Sequence, residues 1–234
     1  MINKEQLKNE AALFGADLTD AQLDDFDTYA KMLVEWNEKI NLTAITEPGE
    51  IVTKHFADSL AIFKYVDIQD GARLIDVGCG AGFPSLPIAI YRPKTGVTML
   101  DSLQKRLNFI NSVLETIDLN QTTVHSRCED AARQKDFRET YDFAVARAVA
   151  RLSVLCEYCL PFVKVGGAFV AYKGADSEAE SAANAIEALG GKIENIFSYE
   201  LPGGDKRNLV IIRKISQTPT KYPRNAKKIK EHSL

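Results

Sequence analysis

Asp76-Val77-Gly78-Cys79-Gly80-Ala81-Gly82, with Ala72-Arg73-Leu74-Ile75 before it and Phe83-Pro84 after it, carries the outline of the whole chain. It reads as strand, glycine-rich turn, helix. Proline is tolerated in the first helical turn, where its missing N–H would be unpaired anyway, so Pro84 predicts where the helix begins. The turn then sits at the carboxyl end of a strand, where open α/β sheets bind ligands. Glycines without a Cβ can take positive φ there and let a ligand lie against the main chain.

The spacing narrows the ligand. A dinucleotide fingerprint needs G-x-G-x-x-G/A, and here Phe83 stands where the third small residue would be. The spacing D-x-G-x-G-x-G suits S-adenosyl-L-methionine better. It calls for a second acidic residue at the end of the next strand to hold the ribose hydroxyls. Val97-Thr98-Met99-Leu100-Asp101 supplies one, about 20 residues beyond the turn.

Apolar runs and helical stretches alternate on either side of this turn. Strands are predicted at 73–77, 97–101, 122–126, 142–146 and 168–172, with helices at 84–91, 103–117 and 152–163, which implies βαβ crossovers and a parallel sheet. Runs 193–200 and 208–214, separated by Leu201-Pro202-Gly203-Gly204-Asp205-Lys206-Arg207, read as a closing hairpin that brings in an antiparallel strand. Seven strands ending this way give the α/β, Rossmann-like order of class I AdoMet-dependent methyltransferases. Before the sheet, Phe26, Tyr29, Leu33, Trp36 and Ile40 recur at helical spacing, with further helices expected at 4–14 and 48–64. The expected division is a helical N-terminal extension at 1–66, a cofactor-binding domain at 67–215 and a basic tail at 216–234.

The 234 residues, 45% of them hydrophobic, suffice for a sizeable core. Neither a signal peptide nor an apolar run long enough to span a bilayer is apparent, so a cytoplasmic protein with no membrane partner is expected. Net charge is −3, yet Arg213, Lys214, Lys221, Arg224, Lys227, Lys228 and Lys230 fall in residues 213–230 without one acidic residue. Such a tail is either a solvated end or an electrostatic foot for nucleic acid. Cys156-Glu157-Tyr158-Cys159 has C-x-x-C spacing, but with no second pair and no histidine cluster it reads as helix core, and no metal is expected. His55 and Asp58, three apart, are expected to fix the N-terminal part on the sheet.

Several short stretches together resemble one family. Trp36-Asn37 with Asn41-Leu42-Thr43, His55 with Asp58-Ser59, the 76–84 loop, Asp101-Ser102-Leu103 with Lys105-Arg106, Ser126-Arg127-Cys128-Glu129, Arg147-Ala148 and Lys173-Gly174 stand in the order and spacing of the bacterial 16S ribosomal RNA guanine-N7 methyltransferases. That family is also known as glucose-inhibited division protein B. The resemblance runs from about residue 20 to residue 214. Cys128 stands where members commonly have alanine, and the Gly-Pro tail of many relatives is replaced here by Asn225-Ala226-Lys227-Lys228-Ile229-Lys230.

The resemblance implies AdoMet binding at Gly78, Phe83, Cys128, Glu129 and Arg147, to which the reading of the loop adds Gly80, Gly82 and Asp101. It implies methylation of guanine N7 in 16S rRNA of the small subunit, with S-adenosyl-L-homocysteine as product. No acid–base dyad is needed. Arg147 and Lys173 are candidates for positioning, and Lys173, Arg207, Lys221 and Arg224 for RNA contact. A monomer is expected. Competing readings are a small-molecule AdoMet methyltransferase, a non-catalytic ribosome-assembly binding protein and, further off, a nicotinamide oxidoreductase.

Overall fold

The computed structural model describes residues 1–147 and 150–234. Ala148, quoted above beside Arg147, lies with Val149 outside the described residues. The chain opens with α1 (Lys4–Ala12) and α2 (Asp20–Ile40). Thr19 and Gln22 start α2 with a reciprocal capping box that satisfies two otherwise orphaned N–H groups. The predicted helix at 48–64 is one helical stretch of changing pitch: α3 (Pro48–Glu50), a π-helical segment (Ile51–Ala57), α4 (Asp58–Leu60) and a 3-10 turn (Ala61–Lys64). Wide π turns of this kind recur at functional sites.

The sheet follows, with β1 (Arg73–Val77), α5 (Ser85–Tyr91), β2 (Gly96–Asp101), α6 (Gln104–Thr116), β3 (Thr122–His125), α7 (Cys128–Ala131) and β4 (Tyr141–Arg147). Then come α8 (Leu152–Cys159), a 3-10 turn (Leu160–Phe162), β5 (Val163–Lys173), α9 (Ala183–Ala188), β6 (Gly191–Glu200), β7 (Lys206–Lys214) and α10 (Ala226–Glu231). Strand order is β3-β2-β1-β4-β5-β7-β6, and β7 runs antiparallel to both of its neighbours. The expected α/β sheet with its closing hairpin is therefore present. Chain order reverses between β1 and β4, which opens a crevice at their carboxyl ends.

Three details differ from the sequence reading. Pro84 is the cap, and α5 begins at Ser85, because the buried carboxylate of Asp76 accepts both the N–H and the hydroxyl of Ser85 at 3.3 and 2.5 Å. The helix expected at 152–163 stops at Cys159, two residues before Pro161, and Val163 already belongs to β5. The short helices α7, α9 and α10, of four to six residues, are too brief to show a period.

The divisions at residues 66 and 215 do not separate cores. Phe26, Tyr29 and Phe56 from the N-terminal part share one buried cluster with Leu86 and Phe109 from the sheet domain. On the other face, Tyr222 and Ile229 of the tail are buried with Leu155, Phe162 and Phe169. Arg138 donates to the carbonyls of Thr218 (2.7 Å) and Tyr222 (3.0 Å), and Arg133 to that of Pro223, so the tail is strapped onto the sheet domain. Cys156 and Cys159 are buried in the same core, as expected.

Candidate active site

The carboxyl ends of β1, β2 and β4 surround a cavity of about 630 Å³. Gly78 and Gly80 edge it, Asp101 lies at its base, and Cys128, Glu129 and Arg147 line it with Tyr158 and Val154 of α8. Asp101 is only 2% exposed. Its Oδ2 accepts from the N–H of Gly80 at 3.0 Å and from Arg106 at 3.3 Å, and its Oδ1 accepts from the N–H of Leu103 at 2.9 Å. The residue predicted to hold a ligand thus also fixes the glycine turn. A carboxylate offers about four acceptor sites, so engaging two ribose hydroxyls requires Arg106, which is partly exposed, to yield.

The turn itself divides. Gly80, at φ +59°, has nothing within 4 Å of where a Cβ would stand, so its free space belongs to the cavity. Gly82, at φ +97°, would bring a Cβ to 3.0 Å from the Tyr29 hydroxyl and 3.1 Å from Leu86, and it lies outside the cavity lining. It serves the approach of α2 and α5. Phe83 also turns away from this cavity: its ring stacks on His55 at 4.3 Å and on Tyr29 at 5.3 Å, with the Arg147 guanidinium 4.8 Å from its centroid. Asp76 is wholly buried, its Oδ1 has no partner among the described residues, and burial pushes its carboxyl up to about 7. The Cys128 thiol, also raised by burial, donates to Glu129 at 3.3 Å.

A second cavity, of about 330 Å³, adjoins the first across Arg147, which lines both. Here the structure brings together Arg147, Lys173 and Arg207 with Ile45, His55, Asp58 and Tyr172. These cations, candidates for positioning and RNA contact, are not bare. Arg147 pairs with Asp58 at 3.2 Å, Lys173 with Glu178 at 2.9 Å, and Arg207 with Asp205 at 3.4 Å.

Lys221 and Arg224 line a third cavity, of about 360 Å³, with Arg127, Arg133, Lys228, Glu129 and Asp130. Lys221 is exposed. Arg224 is spent on structure, because its guanidinium grips the buried Glu157 at 2.6 and 2.9 Å while its N–H donates to the same carboxylate. The sequence reading also missed cavity residues. Ala226 and Lys230 of α10 wall the first cavity, and His55 and Asp58 wall the second. A tail basic along its length gave the only sign of the former.

A seven-stranded sheet in this order, with a glycine turn after β1 and a buried acid at the end of β2, defines a class I methyltransferase. TrmN from Thermus thermophilus shares the fold at a TM-score of 0.53 and 16% identity, over 70% of this chain and 53% of that one. So does M. jannaschii TYW2, solved in complex with AdoMet, at 0.51 and 14%, over 63% and 71% of the two chains. The family model described as GidB, rRNA small subunit methyltransferase G, matches residues 22–210. Proteins named ribosomal RNA small subunit methyltransferase G are 52% identical in Acetivibrio thermocellus, over 96% of this chain and 93% of that protein, and 51% identical in Bacillus subtilis, over 95% of each.

The chain belongs to the rRNA small subunit methyltransferase G family. The resemblance drawn from its short motifs is borne out, and S-adenosyl-L-methionine is its cofactor. The donor set of the first cavity fits that molecule: a buried carboxylate for a ribose, a glycine edge open to a ligand, and an acid beside a strand end for an adenine. No helix among the described residues is long and apolar enough to cross a membrane.

Proposed function

We propose that this enzyme methylates N7 of a guanine in 16S rRNA of the small ribosomal subunit. The observation that carries the reading is Arg147, a side chain at the end of β4 that lines the cofactor cavity on one side and, on the other, a second cavity where Asp58, Lys173 and Arg207 also stand. The second cavity is the seat of the target base. Bound in the first, the cofactor supplies a methyl carbon activated by a sulfonium, and S-adenosyl-L-homocysteine is left.

Gly78 and Gly80 admit the methionine end, Asp101 accepts from the ribose, and Glu129 with the Cys128 backbone reads the adenine edge. Guanine N7 carries a lone pair and no proton, so no side chain has to act as a base. The protein's task is alignment, which is worth up to roughly 7 to 11 kcal/mol in well-oriented systems. Positive charge moves onto the base during transfer, and a bare cation beside it would oppose the step. Asp58 compensates Arg147, and Glu178 compensates Lys173, so both can position without that penalty. Arg207 and the exposed Lys221 are the remaining candidates for RNA phosphate. The enzyme is taken to act as a cytoplasmic monomer.

Transfer of labelled methyl to small subunits and to free 16S RNA, both from cells lacking the modification, tests the reading. Label recovered in N7-methylguanine at one site is the expected result. Cofactor binding without transfer to either RNA would instead favour a small-molecule acceptor.

A further inference from the structure

We propose that Thr43 and His55 are positioning residues that orient the Arg147 guanidinium between the two cavities. The inference rests on the role given to Arg147 above. A guanidinium has five N–H donors and no acceptor, so its plane is set by the acceptors around it. Arg147 Nη1 donates to the carbonyl of Lys54 at 3.1 Å and to Asp58 Oδ2 at 3.2 Å, and Nη2 meets His55 Nδ1 at 3.2 Å. All three acceptors come from the helical stretch 48–64, two of them from its π-helical segment. None lies on the sheet that carries Arg147.

The donor identity of Arg147 fixes the imidazole. Nδ1 must accept, so the ring proton sits on Nε2, which faces the Thr43 hydroxyl oxygen at 2.8 Å. That oxygen is itself held in place by accepting from the N–H of Ile45 at 3.0 Å. The turn carrying Thr43 is pinned by Asn37, whose Oδ1 accepts from the N–H groups of Leu42 and Thr43 at 2.6 and 2.8 Å. The ring lies against Phe83, which also backs the guanidinium, so neither plane can tilt freely. Burial first, and then the charge of Arg147, hold the imidazole pKa down at about 3, which keeps Nδ1 an acceptor at neutral pH. The Trp36-Asn37 to Thr43 motif, far from the cofactor in sequence, thereby acts on the site through one tautomer.

Nitrogen-15 spectra of the full chain, with His55 assigned by its loss in His55→Asn, report the tautomer without turnover. The Nε2–H form is expected, and an Nδ1–H form or an imidazolium at neutral pH overturns the proposal. Steady-state methyl transfer gives the second readout, with thermal unfolding confirming that each variant is folded. His55→Phe keeps the stack and loses the acceptor, and Thr43→Val removes the hydroxyl that holds the ring at Nε2. In each, kcat should fall about tenfold to a hundredfold, the range expected when a site is misplaced by up to an ångström, with little change in KM for AdoMet. His55→Asn, whose Oδ1 can replace Nδ1 as acceptor, should recover most of kcat. Unchanged kcat in both folded variants overturns the positioning role. No transfer by the unaltered chain defeats the proposed reaction itself, and with it the role of Arg147.

Discussion

Tyr29 donates its hydroxyl to the carbonyl of Ala81 at 2.5 Å, so the second helix of the chain holds the glycine turn after β1 directly. Both groups are buried, and the two residues are 52 positions apart. The same hydroxyl is what a Cβ at residue 82 would meet. The N-terminal helices are therefore structural support for the loop, as well as a wall of the second cavity through His55 and Asp58.

Tyr29→Phe should cost about 1–3 kcal/mol of stability, because the Ala81 carbonyl loses its buried partner. It should also weaken AdoMet binding by loosening the turn. Urea unfolding and calorimetric titration separate the two effects. A stability loss with unchanged affinity would confine Tyr29 to packing.

Two glycines of one motif should respond differently to alanine. At Gly80 the added methyl points into the cavity, so AdoMet affinity should drop while the αL conformation costs stability only about 1–2 kcal/mol. At Gly82 the methyl presses on the Tyr29 hydroxyl and on Leu86 at φ +97°, so loss of stability should dominate. Paired melting and binding curves check this. Equal affinity losses in equally stable variants would refute the division of the turn.

The tail cations should part in the same way. Arg224→Ala strands the buried Glu157 and should destabilise by about 3–5 kcal/mol. Lys221→Glu reverses an exposed charge, so it should leave the fold intact, weaken RNA binding and flatten its dependence on salt. An unchanged salt slope would mean that Lys221 touches no phosphate.

The element order and two landmarks of the first cavity, the glycine turn and Asp101, were legible because they are local: strand, turn and the distance to the next strand's end all lie within about thirty residues. The roles of Gly82, Phe83 and Arg224 were not. Each depends on a partner brought in from elsewhere, Tyr29, His55 and Glu157 respectively, and nothing in their own neighbourhoods names it. The pairing of Lys173 with Glu178 is local, but its five-residue separation spans a loop with no helical or strand period to suggest it. The docking of the tail was not legible either, because its apolar residues are few and basic ones dominate, yet Tyr222 and Ile229 are buried against the sheet domain.

His55 gives the last prediction, a loss of stability in acid. In the unfolded chain the imidazole titrates near its usual 6.5, whereas in the fold burial beside Arg147 holds it at about 3. Above pH 6.5 the ring is neutral in both states and the contribution is fully present. As pH falls from 6.5 towards 3, only the unfolded chain takes up the proton, so stability declines across that window, by an amount on the order of a few kcal/mol. Below about 3 both states are protonated and the decline from this group ends. His55→Asn removes the titration while keeping an acceptor for Arg147, so its stability should fall less steeply between pH 6.5 and 4 than that of the unaltered chain. Urea midpoints at several pH values measure the difference in slope. Parallel profiles would mean that His55 takes up its proton in the fold as readily as out of it, and would refute the hold that burial and the guanidinium at Nδ1 place on the ring.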